Sequence, residues 1–240
     1  MDEKGGHISH LKVKMSVIAM LRNEEQFLKL ALDSVVRYAY EIIAFDTGST
    51  DKTLDILKQY PVEIFKDKLE PAIFQKPGSW KYTAIRQFLL SRCRGDIVMQ
   101  LDGDEVWPIE TLHELVLKKA LNTDYWAFRC PWINFVAPYQ RSASGWYERT
   151  VKCIKNIPEI TYGEPFPFEI FEYNHSPLIG KTKVIAELEN PIFHFGQLKE
   201  NYWRKGTEFD YSQAHNAKTE EYHNPIIERY GEALGWPKKQ

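Results

Sequence analysis

The sequence DIVMQLDGDE, residues 96–105, is a short apolar run that ends in acidic residues. It follows the turn-forming pair Arg94-Gly95, which predicts a buried strand beginning near residue 96. Asp102 and Asp104 stand at its carboxyl end and point the same way if the extended geometry persists, because strand side chains alternate between faces. Such carboxylates must be solvated, paired or metal-bound, since an isolated buried charge is very costly. A hard divalent cation that also contacts phosphate oxygens suits the pair, while a plain Asp-Gly turn leaving a strand fits the same letters.

The composition indicates one large domain that can bury a core, because the chain has 240 residues. The 31 Lys and Arg residues nearly balance the 33 Asp and Glu residues, so nothing favours bulk nucleic-acid binding. Cys93, Cys130 and Cys153 form neither a disulfide framework nor a zinc pattern, which favours a reducing compartment. No run approaches the ~20 apolar residues of a spanning helix. We therefore expect a cytoplasmic protein with at most peripheral membrane contact.

Strands alternate with helices over the first 120 residues, which predicts a mostly parallel sheet with helices on both faces. The first helix is expected to be capped by Asn23, with Gln26 three residues later as in a capping box. A later helix starts at Trp80 and carries Ala84 and Phe88 on its apolar stripe, with Arg86 off it. The predicted strands of this half are 13–21, 41–45, 62–65 and 96–101.

Beyond residue 124 the pattern changes to strands at 125–129, 147–154 and 190–195 and a helix with Tyr202 and Phe209. Aromatic residues cluster in this part, where they line a cleft or, as the safer default, fill a core. We divide the chain into a disordered tail (1–12), an α/β domain (13–212) with halves 13–122 and 123–212, and a polar C-terminal extension (213–240).

Open α/β sheets bind ligands beyond the carboxyl ends of their strands, where this sequence places Asp46, Asp102 and Asp104. Dinucleotide binding is excluded because no Gly-x-Gly-x-x-Gly follows the first strand. The letters 102–106 also resemble the nucleophile motif of haloacid dehalogenase phosphohydrolases. In that class the motif normally follows the first strand of the core, whereas three strands precede it here. This position speaks against the phosphohydrolase, which is kept only as an alternative.

Residues 15–106 resemble the family 2 glycosyltransferases of the GT-A fold, and within them the bacterial lipopolysaccharide-core enzymes. The resemblance implies a single Rossmann-like domain with a mostly parallel central sheet flanked by helices, a smaller mixed β region on the acceptor side and a C-terminal helix. It makes 13–122 the nucleotide-sugar half and 123–212 the acceptor half. The matching pieces are Arg22-Asn23-Glu24-Glu25, the run from Asp46 to Thr53, Arg86, and Leu101-Asp102-Gly103-Asp104-Glu105.

The resemblance also implies roles for these residues around a UDP-sugar donor. Asp46 would contact the nucleobase, and a charge-assisted hydrogen bond there discriminates strongly. Asp104 would bind Mn²⁺ or Mg²⁺ together with His194, and Asp102 would lie nearer the ribose or a water on the metal. The remaining residues expected around the nucleotide are Leu21, Asn23, Glu24 and Arg86.

An inverting transfer needs one general base for the acceptor hydroxyl. By resemblance this is Glu169, with Glu164 as runner-up, and apolar neighbours would raise the pKa of either group. Lys199, Arg204 and Lys205 are candidates for the diphosphate. We therefore expect a metal-dependent, inverting enzyme that acts on a glycan or lipid-linked saccharide.

Two points stay open at the level of sequence. The run Ala19-Met20-Leu21 replaces the Pro-x-Tyr common in the family, so the identity of the nucleotide is less secure than the fold. A carbohydrate-binding remnant of the fold that has lost catalysis is the further alternative.

Overall fold

The computed structural model describes residues 13–66, 80–138, 140–142, 149–163, 170–178, 181–199, 219–222, 227–228 and 234–236. Several predictions lie outside these residues. They concern the tail 1–12, Glu164, Glu169, Arg204, Lys205 and the helix with Tyr202 and Phe209.

Four parallel strands form the centre of the molecule. They are β1 (Met15–Leu21), β2 (Ala39–Asp46), β3 (Val62–Lys66) and β4 (Ile97–Leu101), in the spatial order β3-β2-β1-β4. All four predicted strands are confirmed, with ends shifted by a few residues. The order reverses at β1, where β2 lies on one side and β4 on the other. Ligands bind open α/β sheets at such a switch point.

Helices connect these strands, as expected for a parallel sheet. They are α1 (Leu28–Val35), α2 (Thr53–Leu57) and α3 (Trp80–Arg92). A further helix, α4 (Ile109–His113), comes after the four strands and continues into a π-helical segment, Glu114–Lys119. Helix α1 buries Leu28, Ala31, Leu32 and Val35, the spacing of one helical face.

The predicted cap of the first helix is wrong. The residue before α1 is Phe27, and no side chain caps the helix by a hydrogen bond. Asn23 instead adopts a left-handed backbone conformation with φ 55°, which Asn tolerates better than most residues. Its side chain is used in a turn described below.

The orientation of α3 also differs from the prediction. Arg86 is buried at 8% exposure, whereas Phe88 is 37% exposed and Ala84 lies at the surface. The reason is that Arg86 has a charged partner inside, so its burial is compensated. Thr83, Ile85, Leu89 and Leu90 share its buried side.

The second half adds antiparallel strands to the sheet. Strand β8 (Arg149–Lys155) pairs with β4 and with the long β6 (Ala127–Ala137), which then pairs with β7 (Gln140–Ser142), and β7 with β14 (Thr219–Glu221). A separate sheet contains β9 (Ile160–Gly163), β10 (Ile170–Tyr173) and β11 (Ser176–Pro177). The strands predicted in this half are confirmed, although β6 is much longer than expected.

Two short strands run parallel to β6, namely β12 (Ile185–Glu187) and β13 (Ile192–His194). Strand β13 also pairs antiparallel with β5 (Glu105–Val106), so that His194 faces Glu105 across the pair. The ladder therefore brings residue 194 to the acidic loop after β4. A 3-10 turn, Gly196–Leu198, follows β13, and another, Thr182–Val184, precedes β12.

The late aromatic residues that the structure describes pack mainly into cores, which was the default expectation. Phe27, Val106, Phe135, Phe193 and Phe195 form one buried cluster behind β5 and β13. Among the residues that the structure describes, no helix is long and apolar enough to span a bilayer.

Candidate active site

The predicted carboxylates lie at one edge of the sheet. Asp46 ends β2, directly opposite Leu21 at the end of β1, and Asp102 follows the last residue of β4. Because the three strands are parallel neighbours, their carboxyl ends meet at this edge.

The acidic loop 102–105 is closed by a buried lysine. Lys152 of β8 places its Nζ 2.7 Å from Asp102 Oδ2 and 2.6 Å from Glu105 Oε1. The Asp102 N–H also donates to Glu105 Oε2 at 3.3 Å, and Arg86 Nη2 lies 3.8 Å from Asp102 Oδ1. The extended geometry ends at Leu101, so the condition under which Asp102 and Asp104 would point the same way is not met. The two carboxylates contact different lysines.

The Asp104 side chain contacts two side chains from a later part of the sequence, and one of these also contacts Glu24. Asp104 Oδ2 lies 2.6 Å from Lys199 Nζ, and Asp104 Oδ1 lies 3.4 Å from His194 Nε2. Lys199 Nζ is also 2.6 Å from Glu24 Oε2. The loop after β1, the acidic loop and the end of β13 therefore converge on Asp104.

The electrostatics of the aspartates follow from these contacts. Burial favours a raised pKa for Asp102, but the charges of Lys152 and Arg86 outweigh it and hold the pKa below the usual range. Burial acts against ionisation of Asp104 too, but the charge of Lys199 outweighs it and lowers the pKa of Asp104. Both aspartates are therefore carboxylates at neutral pH.

The two glutamates behave in the opposite way. Burial, followed by the charge of Asp104, raises the pKa of Glu24 to about 8 despite Lys199. Burial, together with the charge of Asp102, raises the pKa of Glu105 to about 8 despite Lys152. Like charges close together in a low-dielectric site disfavour full ionisation.

His194 is oriented by Asn134 of β6, whose Oδ1 is 2.8 Å from the imidazole Nδ1. An amide oxygen only accepts, so Nδ1 donates the hydrogen bond and Nε2 carries the lone pair in the neutral ring. Burial lowers the pKa of His194, which favours this neutral form. Trp132 packs against the ring with centroids 4.5 Å apart. A metal-ligating histidine has this arrangement, with its other nitrogen bonded to an oriented acceptor.

Two glycines make room for these side chains. A Cβ atom on Gly103 would lie 2.6 Å from Cγ of Glu24, and one on Gly196 would lie 2.8 Å from Oδ2 of Asp104. Both distances are shorter than atoms tolerate without displacement. Glycine at these positions thus lets Glu24, Asp104 and His194 pack closely.

Asp46 shapes the turn after β2. Both of its carboxylate oxygens accept from the Ser49 N–H at 3.2 Å, and Gly48 has φ 106°. The Asn23 N–H donates to Ser49 Oγ at 2.9 Å, and Asn23 Oδ1 accepts from the Thr50 N–H at 2.8 Å. The loops after β1 and β2 are thereby joined into one rigid edge.

The Leu21 carbonyl accepts two hydrogen bonds from Thr47, one from its N–H and one from its hydroxyl. The Leu21 side chain is buried in the core. The structure therefore gives Leu21 a supporting role at the edge beside Asp46.

Arg86 faces the same edge from α3. Its guanidinium lies over the ring of Tyr162 at 6.0 Å and near Asp102. Gln87, the next residue of α3, accepts a hydrogen bond from the Tyr162 N–H at 2.9 Å. The Tyr162 hydroxyl donates to Gln100 at 2.9 Å. These contacts link α3 to β4 and β9.

Sequence reasoning missed Lys152, Glu105, Asn134 and Trp132. A single signal was present for one of them, since Lys152 is a lone charge in an otherwise apolar stretch of a predicted strand. The others become recognisable only once β6, β8 and β13 are placed beside the acidic loop.

The residues around Asp104 offer part of the ligand set of a divalent cation. In the described ranges, no three His, Cys, Asp or Glu side chains converge on one point as a ready metal cage. The oriented Nε2 of His194 nevertheless faces a carboxylate oxygen of Asp104, and oxygen and imidazole ligands suit Mn²⁺ and Mg²⁺. The donor set fits a metal, while Lys199 shares the same carboxylate.

Comparison with known proteins gives consistent results. The model of the family described as "Glycosyl transferase family 2" matches residues 16–168. The chain is 33% identical over 107 residues to an uncharacterized glycosyltransferase of Nostoc sp., covering 43% of this chain and 32% of that protein. It is 31% identical over 107 residues to the poly(ribitol-phosphate) beta-glucosyltransferase of Bacillus spizizenii, covering 42% of this chain and 16% of that protein. The chain thus spans about a third or less of the length of these relatives.

Among solved structures, a crystal structure of a mycobacterial protein superposes with a TM-score of 0.51 at 14% identity. The superposition covers 95% of this chain and 76% of the other. At this identity the likeness concerns the fold alone, and it agrees with the fold class expected from the sequence.

Proposed function

Because the chain belongs to glycosyl transferase family 2, we propose that it transfers a sugar from a UDP-sugar to a hydroxyl group of a glycan or lipid-linked saccharide. The reaction is metal-dependent and inverts the configuration at the anomeric carbon. The observation that carries the proposal is the convergence of Asp102, Asp104 and His194 at the carboxyl edge of β1, β2 and β4.

The donor side of the proposal rests on the shape of this edge. Asp46 and Asp102 stand on either side of β1, which suits a ligand lying across the switch point with its base toward Asp46 and its ribose toward Asp102. Asp46 already accepts the Ser49 N–H, and a carboxylate retains acceptor capacity for a uracil N–H.

In the proposed mechanism, Asp104 and His194 would hold Mn²⁺ or Mg²⁺. Such an ion stabilises the charge that develops on the nucleoside diphosphate leaving group. Lys152 keeps Asp102 ionised and in place, and Asn134 keeps the Nε2 lone pair of His194 directed at Asp104. Arg86 adds positive charge beside Asp102.

The acceptor hydroxyl needs a base that removes its proton as the oxygen attacks the anomeric carbon. We assign this role to Glu169, with Glu164 as the second candidate. One relative is named as a poly(ribitol-phosphate) beta-glucosyltransferase, which supports hexosyl transfer to a hydroxyl group.

A turnover assay tests this proposal against its alternatives. The protein is incubated with UDP-sugars and GDP-sugars and Mn²⁺, and released nucleoside diphosphate is measured for the wild type and for Asp104→Asn. We expect release of UDP that Asp104→Asn abolishes. Release of phosphate from simple phosphomonoesters without any nucleotide would support the phosphohydrolase instead. Nucleotide binding without turnover on any acceptor would support the binding remnant.

A further inference from the structure

Lys199 occupies a central position in the site. It follows the 3-10 turn after β13, and its ammonium lies 2.6 Å from oxygens of both Asp104 and Glu24. The three side chains are only 10–14% exposed. The ammonium of Lys199 is held by carboxyl groups from two other loops and is shielded from bulk water. It therefore differs from an ordinary surface lysine, whose ion pairs contribute little to stability.

The neighbouring cations are already committed to other acids. Lys152 is ion-paired with Asp102 and Glu105, and Arg86 lies beside Asp102. In the part of the chain that the structure describes, Lys199 is therefore the cation that pairs with both Asp104 and Glu24. Lys199 and His194 both contact Asp104. Asp104 and His194 are the two residues proposed to hold the divalent ion.

An ammonium and a divalent cation on one carboxylate repel each other strongly, because little water screens charges at this depth. The two cations are thus alternatives at Asp104 unless more negative charge arrives. A diphosphate supplies that charge, and the flexible four-carbon stem of a lysine lets its ammonium follow a phosphate oxygen.

We propose that Lys199 is an internal cation that competes with the divalent metal for Asp104, so that metal binds firmly only together with the diphosphate of the donor. This inference rests on the proposed function, because it assigns the metal to Asp104 and the diphosphate to the same edge. By linkage, the metal and the nucleotide strengthen each other's binding by the same factor. Lys199 sets the size of that factor.

The test measures Mn²⁺ binding directly, from the loss of the paramagnetic resonance signal of the free ion. Mn²⁺ is titrated into the wild type and into Lys199→Met, first alone and then with saturating UDP. Without UDP we expect Lys199→Met to bind Mn²⁺ about tenfold more tightly than the wild type, because a unit charge in contact with the same carboxylate is removed. UDP should then improve Mn²⁺ binding less in the variant than in the wild type.

Two controls isolate the position of the charge. Lys199→Arg keeps the positive charge and should bind Mn²⁺ as the wild type does. Lys58→Met removes the same charge from an exposed pair with Asp55, whose side chains are 60% and 72% exposed, and should change nothing. Folding of each variant is checked by circular dichroism, and Lys199→Gln replaces Lys199→Met if the latter does not fold.

Equal or weaker Mn²⁺ binding by the folded Lys199 variant, with UDP binding intact, would overturn the inference and leave the proposed function standing. Absence of any UDP binding by the wild type would overturn both. The two failures are therefore distinguishable.

Discussion

At the residue scale, the site is a set of opposite charges whose partners come from distant parts of the sequence. Lys152 illustrates this, because it is 6% exposed and holds two acids of the same loop. Burial alone would lower its pKa, yet Asp102 and Glu105 raise it above the usual range. Removing one member of such a buried group leaves an unpaired charge, which costs far more than losing a surface pair.

Lys152→Met should therefore destabilise the protein by about 3 to 5 kcal/mol, since Asp102 loses its closest counter-ion. Urea denaturation measures the free energy of unfolding. Lys29→Met is the matched control, because its pair with Asp33 is exposed and should contribute less than about 1 kcal/mol. Equal losses in the two variants would show that Lys152 is not a buried counter-ion.

At the element scale, the strands and most helices were predictable because apolar runs and helical spacing are local signals. The pattern located β1, β2, β3 and β4 within a few residues. The pattern predicted helix α3 but not its buried face, because the buried residue Arg86 is polar and a local pattern does not reveal its partner Asp102. It also failed at Asn23, whose cap-like position instead serves a contact with the loop after β2.

Glu41 lies near the amino-terminal end of β2 and links this strand to β1 and to the turn that follows α3. It accepts from Ser16 Oγ of β1 at 2.6 Å, and from the Arg94 N–H at 2.6 Å and Nε at 2.8 Å. Burial opposes ionisation, but the Ser16 and Arg94 hydrogen bonds prevail and lower the pKa of Glu41. A carboxyl with a lowered folded pKa stabilises the fold above its unfolded pKa, and this contribution is lost as the pH falls through the folded value.

Glu41→Gln should therefore cost about 1 to 3 kcal/mol of unfolding free energy at pH 7. The difference from the wild type should shrink below about pH 4.5, where the unfolded carboxyl protonates. Urea denaturation at a series of pH values measures this, with Glu63→Gln, from an exposed pair with Arg92, as control. A pH-independent difference would contradict the assignment.

Glu114 anchors the connection that leads into β13. Its carboxylate accepts from the N–H of Glu189 at 2.9 Å, from the N–H of Asn190 at 3.0 Å and from Asn190 Nδ2 at 2.9 Å. Glu114→Gln would turn an amide NH₂ toward these donors. We expect a loss of about 1 to 3 kcal/mol in stability and weaker Mn²⁺ binding with UDP, because the loop sets the approach of His194. If Glu114→Gln binds Mn²⁺ with the same affinity as the control Glu63→Gln, the loop that Glu114 holds does not influence the metal site.

At the scale of the whole molecule, the acidic residues at the strand ends could be predicted from the sequence, whereas the residues that contact them from β6 and β8 could not. The placement of Asp46, Asp102 and Asp104 at one edge of the sheet was predictable, because strand ends are visible in a local pattern and parallel strands share an edge. His194 was selected by resemblance, and its placement beside Asp104 depends on the pairing of β13 with β5 across almost ninety residues. Lys152, Asn134 and Trp132 escaped notice because burial of a polar group is a property of the assembled sheets.

The central claim is that this edge binds a nucleoside diphosphate with a metal on Asp104. The most direct measurement is calorimetric titration of UDP and GDP, with and without Mn²⁺, into the wild type, Asp104→Asn and the exposed control Asp124→Asn. We predict Mn²⁺-dependent binding of UDP that Asp104→Asn weakens at least about tenfold, or 1.4 kcal/mol, and that Asp124→Asn leaves intact. Failure of the wild type to bind any nucleotide in the presence of Mn²⁺ would contradict the claim.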